Sequence, residues 1–358
     1  MDRVAPLPWQ QALWPRMAEW RQRMPHAILL HGSRGIGKRH LANVLAQSLL
    51  CETPTASGLA CGTCAGCALV DSDNHPDFRL VVPGIDLPTR DDTSEDGDDP
   101  IETAAPASSK RGKPSREIKI DQVRELADFL TTTTHRGGLR VVVLVPAEAL
   151  NASSANALLK MLEEPPASSV FLLVADDLDA VLPTIRSRCV LLRAPMPTPD
   201  AALRWLREQR VSDPEQRLAE AGGAPLSAAA SAEADESGRH LAADLKEALL
   251  GLLARGGRLS PAEVVAAVPK DVPIADSIAL FQRWGWDLLA ESLGQGVRYH
   301  PNRLREVRAA GQFADPTALF AWLDTLTDVQ AVSDHPLNGR LAVEGALFGY
   351  IDAMRPRR

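Results

Sequence analysis

Short, almost continuous apolar runs alternate with amphipathic segments in the first half of the chain. Residues 27–31, 141–145 and 170–174 are apolar at nearly every position, which is the pattern of parallel strands buried on both faces. Residues 40–50 follow the first run with helical spacing, and residues 120–130 place their apolar side chains on one helical face. This alternation predicts a doubly wound α/β domain, with a parallel sheet flanked by helices.

Only helical patterns follow a proline-rich segment at residues 195–199. We therefore predict that the α/β domain covers residues 1–193, that residues 194–240 form a small Ala-rich helical domain, and that residues 241–358 form an all-α domain. Apolar side chains at helical spacing in the last domain are interpreted as core packing and not as a cofactor site.

Residues 84–117 interrupt the alternation of strands and helices. Within them, residues 91–102 hold seven acidic side chains and no basic one, and residues 110–116 hold four basic ones. A segment of this composition buries too little apolar surface to offset the entropy of ordering it. We predict a disordered surface insertion within the α/β domain; a charge-patterned docking segment is the alternative.

Composition narrows the possible classes of function. The 358 residues are 45% hydrophobic, and the net charge of −7 gives no overall basic surface for DNA. Contacts with nucleic acid are therefore expected to be local or to come from partner subunits. The sequence has no apolar run long enough for a membrane span and no signal peptide, so we predict a cytoplasmic protein without membrane contact. In that reducing compartment the five cysteines favour metal binding over disulfides.

Four of the five cysteines are clustered in the sequence. Cys51, Cys61, Cys64 and Cys67 follow C-x9-C-x2-C-x2-C, in which the short spacings let one turn present successive sulfurs to a single ion. Four thiolates suit tetrahedral Zn²⁺, and they leave no open coordination position for catalysis. The sequence therefore predicts a structural zinc module over residues 51–67; free buried cysteines and a redox centre are the alternatives.

A phosphate-binding pattern joins the first predicted strand to the first long helix. The sequence Gly-Ser-Arg-Gly-Ile-Gly-Lys matches G-x-x-x-x-G-K, in which the backbone at Gly32, Gly35 and Gly37 would wrap phosphates and Lys38 would reach the terminal ones. An active site of this kind has Ser or Thr at the next position, where its hydroxyl binds Mg²⁺. Here that position is Arg39.

The acidic side chains that complete such a site are also missing. Val145 and Pro146 occupy the two positions after residues 141–144 where an Asp–Glu pair is expected, and Glu148 lies two positions too far along. Phosphoryl transfer depends on metal placement and charge neutralisation, so we predict no useful ATP hydrolysis by this chain alone. Passive binding of ATP or ADP and a loop kept only for its fold are both compatible with the sequence.

The order of these motifs resembles that of the bacterial DNA polymerase III clamp-loader subunits. Asn-Ala-Leu-Leu-Lys-Met-Leu-Glu-Glu-Pro-Pro at residues 156–166 and Ser-Arg-Cys at residues 187–189 follow the phosphate loop and the cysteines, and the likeness covers residues 24–192. The resemblance implies an AAA+ P-loop domain, a small helical lid and a helical collar. It also implies an open hetero-pentamer with gamma/tau and delta subunits, which loads a sliding clamp onto primer–template DNA.

Within that family, this chain is more similar to the stator branch than to the ATP-hydrolysing gamma/tau motors. A motor would have Ser or Thr at Arg39, an acidic pair at Val145 and Pro146, a polar residue at Ala175 and a sensor arginine near residues 222–226. An active ATPase of the gamma/tau type and a zinc-dependent DNA-binding module are the alternatives. As a stator, the chain would be a non-hydrolysing subunit of the DNA-directed DNA polymerase III holoenzyme, a nucleotidyltransferase.

The resemblance assigns one catalytic contribution, to Arg188. In the family, the arginine of the Ser-Arg-Cys motif reaches into the ATP site of the adjacent motor subunit, and here Ser187 and Cys189 are expected to support it. An arginine finger supplied in trans contributes roughly 10³–10⁵ in rate. The alternative is that Arg188 pairs with a carboxylate at the edge of its own domain.

The helix predicted at residues 156–166 has mostly packing roles. Its leucines are expected to pack on the sheet, and its two prolines are expected to end the helix. Lys160, Glu163 and Glu164 are then the exposed candidates for contacts with other subunits or with DNA.

Overall fold

Two compact units make up the chain, and they divide at residue 196. The computed structural model describes residues 5–21, 23–86, 115–132, 134–135, 138–236, 241–312, 314–333 and 338–355. The first unit is Met1–Met196 and the second is Pro197–Arg358.

The first unit is built on a five-stranded sheet in which every neighbouring pair of strands is parallel. The strands lie in the order β2-β3-β4-β1-β5. They are β1 (Ala27–His31), β2 (Phe78–Val81), β3 (Arg140–Leu144), β4 (Ser169–Ala175) and β5 (Val190–Arg193). The three apolar runs of the sequence form β1, β3 and β4, which occupy the three central places.

Helices cover both faces of this sheet. They are α1 (Trp14–Glu19), α2 (Lys38–Leu50), α3 (Ala65–Asp71), α4 (Ile120–Thr131), α5 (Ala152–Glu163) and α6 (Pro183–Arg186), and short 3-10 turns lie at Pro8–Leu13, Gly84–Asp86 and Ala147–Ala149. Alternate residues of β1, β3 and β4 pack with α4 and α5 in one core cluster. Because side chains alternate along a strand, the other residues face α2, which packs on the same strands. The predicted α/β domain, a parallel sheet flanked by helices, is confirmed.

Most of the predicted insertion at residues 84–117 lies outside the described residues, which resume at Ser115. The described residues on the two sides of this insertion lie close together. The Ile85 amide donates a hydrogen bond to the Ser115 carbonyl at 3.1 Å. Close ends allow a long segment to be inserted without moving the strands on either side of it.

Helices and 3-10 turns are the only regular secondary structure among the described residues of the second unit. Its helices are α7 (Pro199–Glu208), α8 (Pro214–Glu220), α9 (Pro225–Glu236), α10 (Ala243–Ala254), α11 (Pro261–Ala267), α12 (Ile274–Ser292), α13 (Leu304–Gly311), α14 (Pro316–Ala331) and α15 (Gly339–Ala353), with 3-10 turns at Gly256–Arg258 and Pro301–Arg303. Proline at the first position begins several of them, where a missing amide hydrogen costs nothing. The division of this unit into a lid and a collar remains a prediction.

Helix α12 is the central helix of the second unit, and α10, α13, α14 and α15 pack around it. The Tyr350 hydroxyl lies in this core, where it donates to the Leu253 carbonyl at 2.7 Å and accepts from the Trp284 indole at 3.3 Å. The apolar faces predicted for α14 and α15 are buried, which confirms their assignment to core packing. Among the described residues, no helix is both long and apolar enough to cross a membrane.

Candidate functional site

The phosphate loop connects β1 to α2, and its glycines adopt conformations that other residues avoid. Gly32, Gly35 and Gly37 have φ values of +142°, +76° and +87°. A Cβ atom on Gly37 would lie 2.4 Å from Leu7 Cδ1, so the loop and the N-terminal segment are in direct contact there. The sequence pattern therefore forms the expected loop, with Lys38 as the first residue of α2.

Lys38 is paired within the chain. Its side chain is 2% exposed, its Nζ donates to the Ser33 carbonyl at 2.6 Å, and the same Nζ lies 2.5 Å from Asp176 Oδ1. Asp176 follows β4 directly, and β4 is the neighbour of β1, so the parallel arrangement brings the two ends together. The ammonium that would meet a terminal phosphate thus has a carboxylate of its own chain as counter-ion.

Glu148 holds the backbone that carries Asp176. Its Oε1 accepts from the amides of Asp176 at 2.9 Å and Asp177 at 3.3 Å. Glu148 lies two positions beyond the glutamate expected from the sequence, and in the structure it links the segments that follow β3 and β4. Asp176 was not identified from the sequence, although its place directly after a strand adjacent to β1 is the signal that could have found it.

The segment before α1 is bonded to the phosphate loop. Trp9 Nε1 donates to the Ile36 carbonyl at 2.9 Å, and Gln10 Nε2 donates to the carbonyls of Ile36 at 3.0 Å and Gly37 at 2.9 Å. Trp9 and Gln10 are both buried. Sequence reasoning missed these two residues, because their partners are main-chain atoms that carry no residue-specific signal.

The positions expected to hold Mg²⁺ carry no suitable oxygen. Arg39 is an exposed side chain on α2, and Val145 and Pro146 follow β3 as the sequence argument placed them. Ala175, the position expected to be polar in a motor subunit, is the last residue of β4 and is fully buried. None of these side chains can bind a metal ion or orient a water molecule for attack.

The four clustered cysteines come together at one point of the first unit. Their sulfur atoms all lie within 4.8 Å of one another. The Cys51 and Cys64 sulfurs are 3.8 Å apart, and those of Cys61 and Cys67 are 4.0 Å apart. A tetrahedral site with Zn–S bonds of about 2.3 Å has sulfur–sulfur edges of about 3.8 Å. The four side chains therefore have a spacing that fits a metal ion.

Hydrogen bonds to sulfur favour the thiolate form that a metal needs. The Thr53 hydroxyl donates to Cys61 Sγ at 3.3 Å, and the amides of Thr63 and Cys64 donate to the same sulfur at 3.4 and 3.3 Å. These bonds, with that from Thr53 the largest cause, lower the pKa of the Cys61 thiol to about 5. Cys189 lies apart from the cluster, and burial raises its pKa to about 12.

Arg188 is held by three contacts within its own unit. Its Nη2 lies 2.6 Å from Glu163 Oε1 at the end of α5, and its Nη1 donates to the Thr184 carbonyl at 3.0 Å and to Ser187 Oγ at 3.3 Å. The side chain of Cys189 packs against the core next to it. In the isolated chain, Arg188 therefore pairs with a carboxylate of its own domain, as the alternative to the arginine finger expects.

Arg188 and the phosphate loop lie at opposite ends of the strands. Residue 188 comes just before β5, whose first residue pairs with Ile28 near the start of β1, whereas the loop begins where β1 ends. The five residues of β1 separate the two ends of the strands by roughly 16 Å. Arg188 is one-third exposed, so it faces outward at a place remote from the loop of its own chain.

Known proteins are similar to this chain in sequence. Residues 12–197 match the family described as DNA polymerase III, delta subunit. The delta-prime subunit of Pseudomonas aeruginosa is 41% identical over 62% of this chain and 60% of its own length, and that of Escherichia coli is 31% identical over 54% and 49%. A crystal structure of a DNA polymerase III gamma-subunit-related protein of Thermotoga maritima superimposes with a TM-score of 0.47 at 18% identity, covering 95% of this chain and 99% of that one.

The matched region spans 60% of the length of the first relative and 49% of the second. Residues 12–197, which the family model matches, contain the phosphate loop, the four cysteines and Arg188, and they end one residue after the first unit. The family match covers more than half of the residues, and several relatives share the same description. The chain therefore belongs to the DNA polymerase III delta-prime family.

Proposed function

We propose that this chain is the delta-prime subunit, or stator, of a bacterial DNA polymerase III clamp loader. In this role it does not hydrolyse ATP, and it supplies Arg188 to the ATP site of a neighbouring gamma/tau subunit. The observation that carries the proposal is the position of Arg188: it is partly exposed, at the end of the strands opposite to the phosphate loop. From that end it can act only on a nucleotide held by another molecule.

The contribution of Arg188 is electrostatic. Charge spreads over the phosphoryl oxygens as the bond to the leaving group breaks, and a planar guanidinium can donate two hydrogen bonds to those oxygens while it neutralises their charge. The contacts of Arg188 Nη1 with Thr184 and Ser187 fix the plane of the group before any partner arrives. A group that is already oriented loses less entropy when it binds the transition state.

We propose that the phosphate loop has a structural role and does not bind nucleotide for hydrolysis. Asp176 neutralises Lys38, and the N-terminal segment is bonded to the loop through Trp9 and Gln10. A triphosphate would have to displace Asp176 from a side chain that is almost fully buried. The positions that should hold Mg²⁺ have no oxygen, so a bound nucleotide would still lack the metal needed for hydrolysis.

The cysteine cluster is proposed to hold structural Zn²⁺. Cys51, Cys61, Cys64 and Cys67 would be its four ligands, and a fully coordinated zinc supplies folding energy but no reactive position. Cys51 follows the end of α2 and Cys67 lies in α3, so the ion would fasten the chain between these helices.

The partners and the compartment follow from the same proposal. The chain would assemble with gamma/tau and delta subunits in a hetero-pentamer in the cytoplasm, and would meet primer–template DNA and the sliding clamp through that complex. The net charge of −7 supports this arrangement, because tight independent binding to DNA requires a basic surface.

The test is ATP turnover by the pure chain and by the chain assembled with gamma/tau and delta subunits, clamp and primed DNA. We expect no turnover by the chain alone. Arg188→Ala should lower turnover in the complex, because the site completed by this arginine loses roughly 10³–10⁵ in rate. The free energy of unfolding should change by no more than about 1 kcal/mol, since a partly exposed ion pair is lost.

Arg186→Ala is the matched control, because Arg186 lies two residues away and pairs with Asp179 at 3.1 Å. It should leave turnover unchanged. Robust hydrolysis by the isolated chain would overturn the stator assignment, and full turnover by a correctly assembled complex with Arg188→Ala would overturn the role of Arg188.

A further inference from the structure

The contacts of Arg188 are of two kinds. Nη1 is bonded to Thr184 and Ser187, which belong to α6 and the turn that follows it, one to four residues before Arg188 itself. Nη2 is bonded to Glu163, which is the last residue of α5 and a separate element of the chain. The two hydrogen bonds of Nη1 can stay in place while the partner of Nη2 is exchanged.

Glu163 is suited to such an exchange. Its side chain is about half exposed, at 49%, so it can turn into solvent without opening the core. It also lies at the carboxyl end of a helix, where the helix dipole disfavours a negative charge and the nearby guanidinium compensates for it. The carboxylate therefore depends on Arg188, whereas Arg188 has two other partners.

We propose that Glu163 is the counter-ion of Arg188 in the unassembled subunit and that a phosphate of the neighbour's nucleotide replaces it on Nη2. This inference rests on the proposed function, and it assigns to Glu163 the control of when Arg188 is available to the neighbour's nucleotide. Glu163 occupies the anion-binding side of the guanidinium until a phosphate, which carries more charge, displaces it from that side. The exchange needs no movement of α6.

The exchange makes Glu163 a competitor of the nucleotide. Glu163→Gln removes the competing charge but keeps a polar side chain of the same size. The ATP KM of the assembled complex should fall by roughly 1.5- to 5-fold, which corresponds to the strength of a partly exposed ion pair. The kcat should change less than twofold, and the ratio of the KM values should approach one at high salt because exposed charges are screened.

Glu164→Gln is the matched control, since it removes the same charge from the next exposed residue of the chain. A second control is Glu163→Gln in a chain that also carries Arg188→Ala. If the carboxylate acts through Arg188, the substitution should change nothing in that background. If Glu163→Gln acts instead through a general effect of charge on the subunit interface, it should still change the ATP KM in the Arg188→Ala background, and that result would refute the inference.

The outcomes separate this inference from the proposed function. If Arg188→Ala leaves turnover unchanged, the proposed function fails, and the inference fails with it. If Arg188→Ala lowers turnover but Glu163→Gln behaves as Glu164→Gln does, the function stands and the exchange is refuted. A fall in kcat without a fall in KM would also refute it, because Glu163 would then hold Arg188 in the active complex.

Discussion

Replacing Asp176 with Asn tests whether the phosphate loop is held closed from within the chain. The amide keeps an oxygen that can accept a hydrogen bond from Lys38, but the compensating charge is lost. The Lys38 side chain is 2% exposed and would remain in its buried place, now with only the Ser33 carbonyl at 2.6 Å and a neutral amide as partners. We expect the first unit to lose stability.

The size of the loss follows from the exposure of the two partners. Removing one member of a fully buried ion pair costs about 3–5 kcal/mol, whereas an exposed pair contributes about 0–1 kcal/mol. Lys38 is buried, but Asp176 is 37% exposed and partly screened by solvent. The retained hydrogen bond reduces the loss further, so we expect about 1–2 kcal/mol. For a unit of this size that lowers Tm by roughly 2–8 °C.

Thermal unfolding with and without inorganic tripolyphosphate is the assay. In the variant, Lys38 has no carboxylate to release, so millimolar tripolyphosphate should raise Tm more than it does in the unsubstituted chain. Asp177→Asn is the control, because Asp177 is the next residue and its Oδ1 accepts only from the amide of Asp179 among the bonds described. Equal Tm values for the two variants would refute the reasoning, as would equal responses to tripolyphosphate.

Two further substitutions test the cysteine cluster and the loop backbone. Purified chain should release about one Zn²⁺ on treatment with a strong chelator; Cys67→Ser should abolish that signal in a colorimetric zinc assay, and Cys189→Ser should not. Gly37→Ala should cost about 1–3 kcal/mol in urea unfolding, because its φ is +87° and its Cβ would overlap Leu7. Gly251→Ala, in an open position inside α10, should instead raise the free energy of unfolding by about 0.5–1 kcal/mol. If both glycine substitutions change the free energy of unfolding in the same direction, this account is contradicted.

The strands show which parts of the fold are readable from sequence. β1, β3 and β4 are central strands whose residues are almost all buried, and continuous apolar runs predicted them. β2 and β5 were not predicted, because they are four-residue strands at the two edges of the sheet. Three of the four residues of β5 are exposed, so neither a continuous nor an alternating pattern identifies it.

The parts of the site that depend on the spacing of residues along the sequence were predictable. The parts that depend on contacts between residues far apart in the sequence were not. The cysteine spacing predicted a cluster that the structure assembles. The spacing of the loop glycines likewise predicted a phosphate-binding loop, and these glycines have positive φ values. Asp176 is far from Lys38 in the sequence, and its role follows only from the neighbouring positions of β1 and β4. Glu163 was predicted as an exposed candidate for contacts with other subunits or with DNA but not as a partner of Arg188, because no pattern relates the end of α5 to the turn after α6.

Tyr350 has a consequence for the order in which the protein forms during synthesis. Its hydroxyl joins the Leu253 carbonyl and the Trp284 indole, so the core around α12 is completed by a residue made nearly one hundred positions after the first of these partners. The last strand of the sheet, by contrast, ends at Arg193. Domains generally fold as units as they leave the ribosome. The first unit can therefore fold before α15 has been synthesised. A nascent chain stalled before α15 would have a folded first unit, whereas the helical core of its second unit would be incomplete.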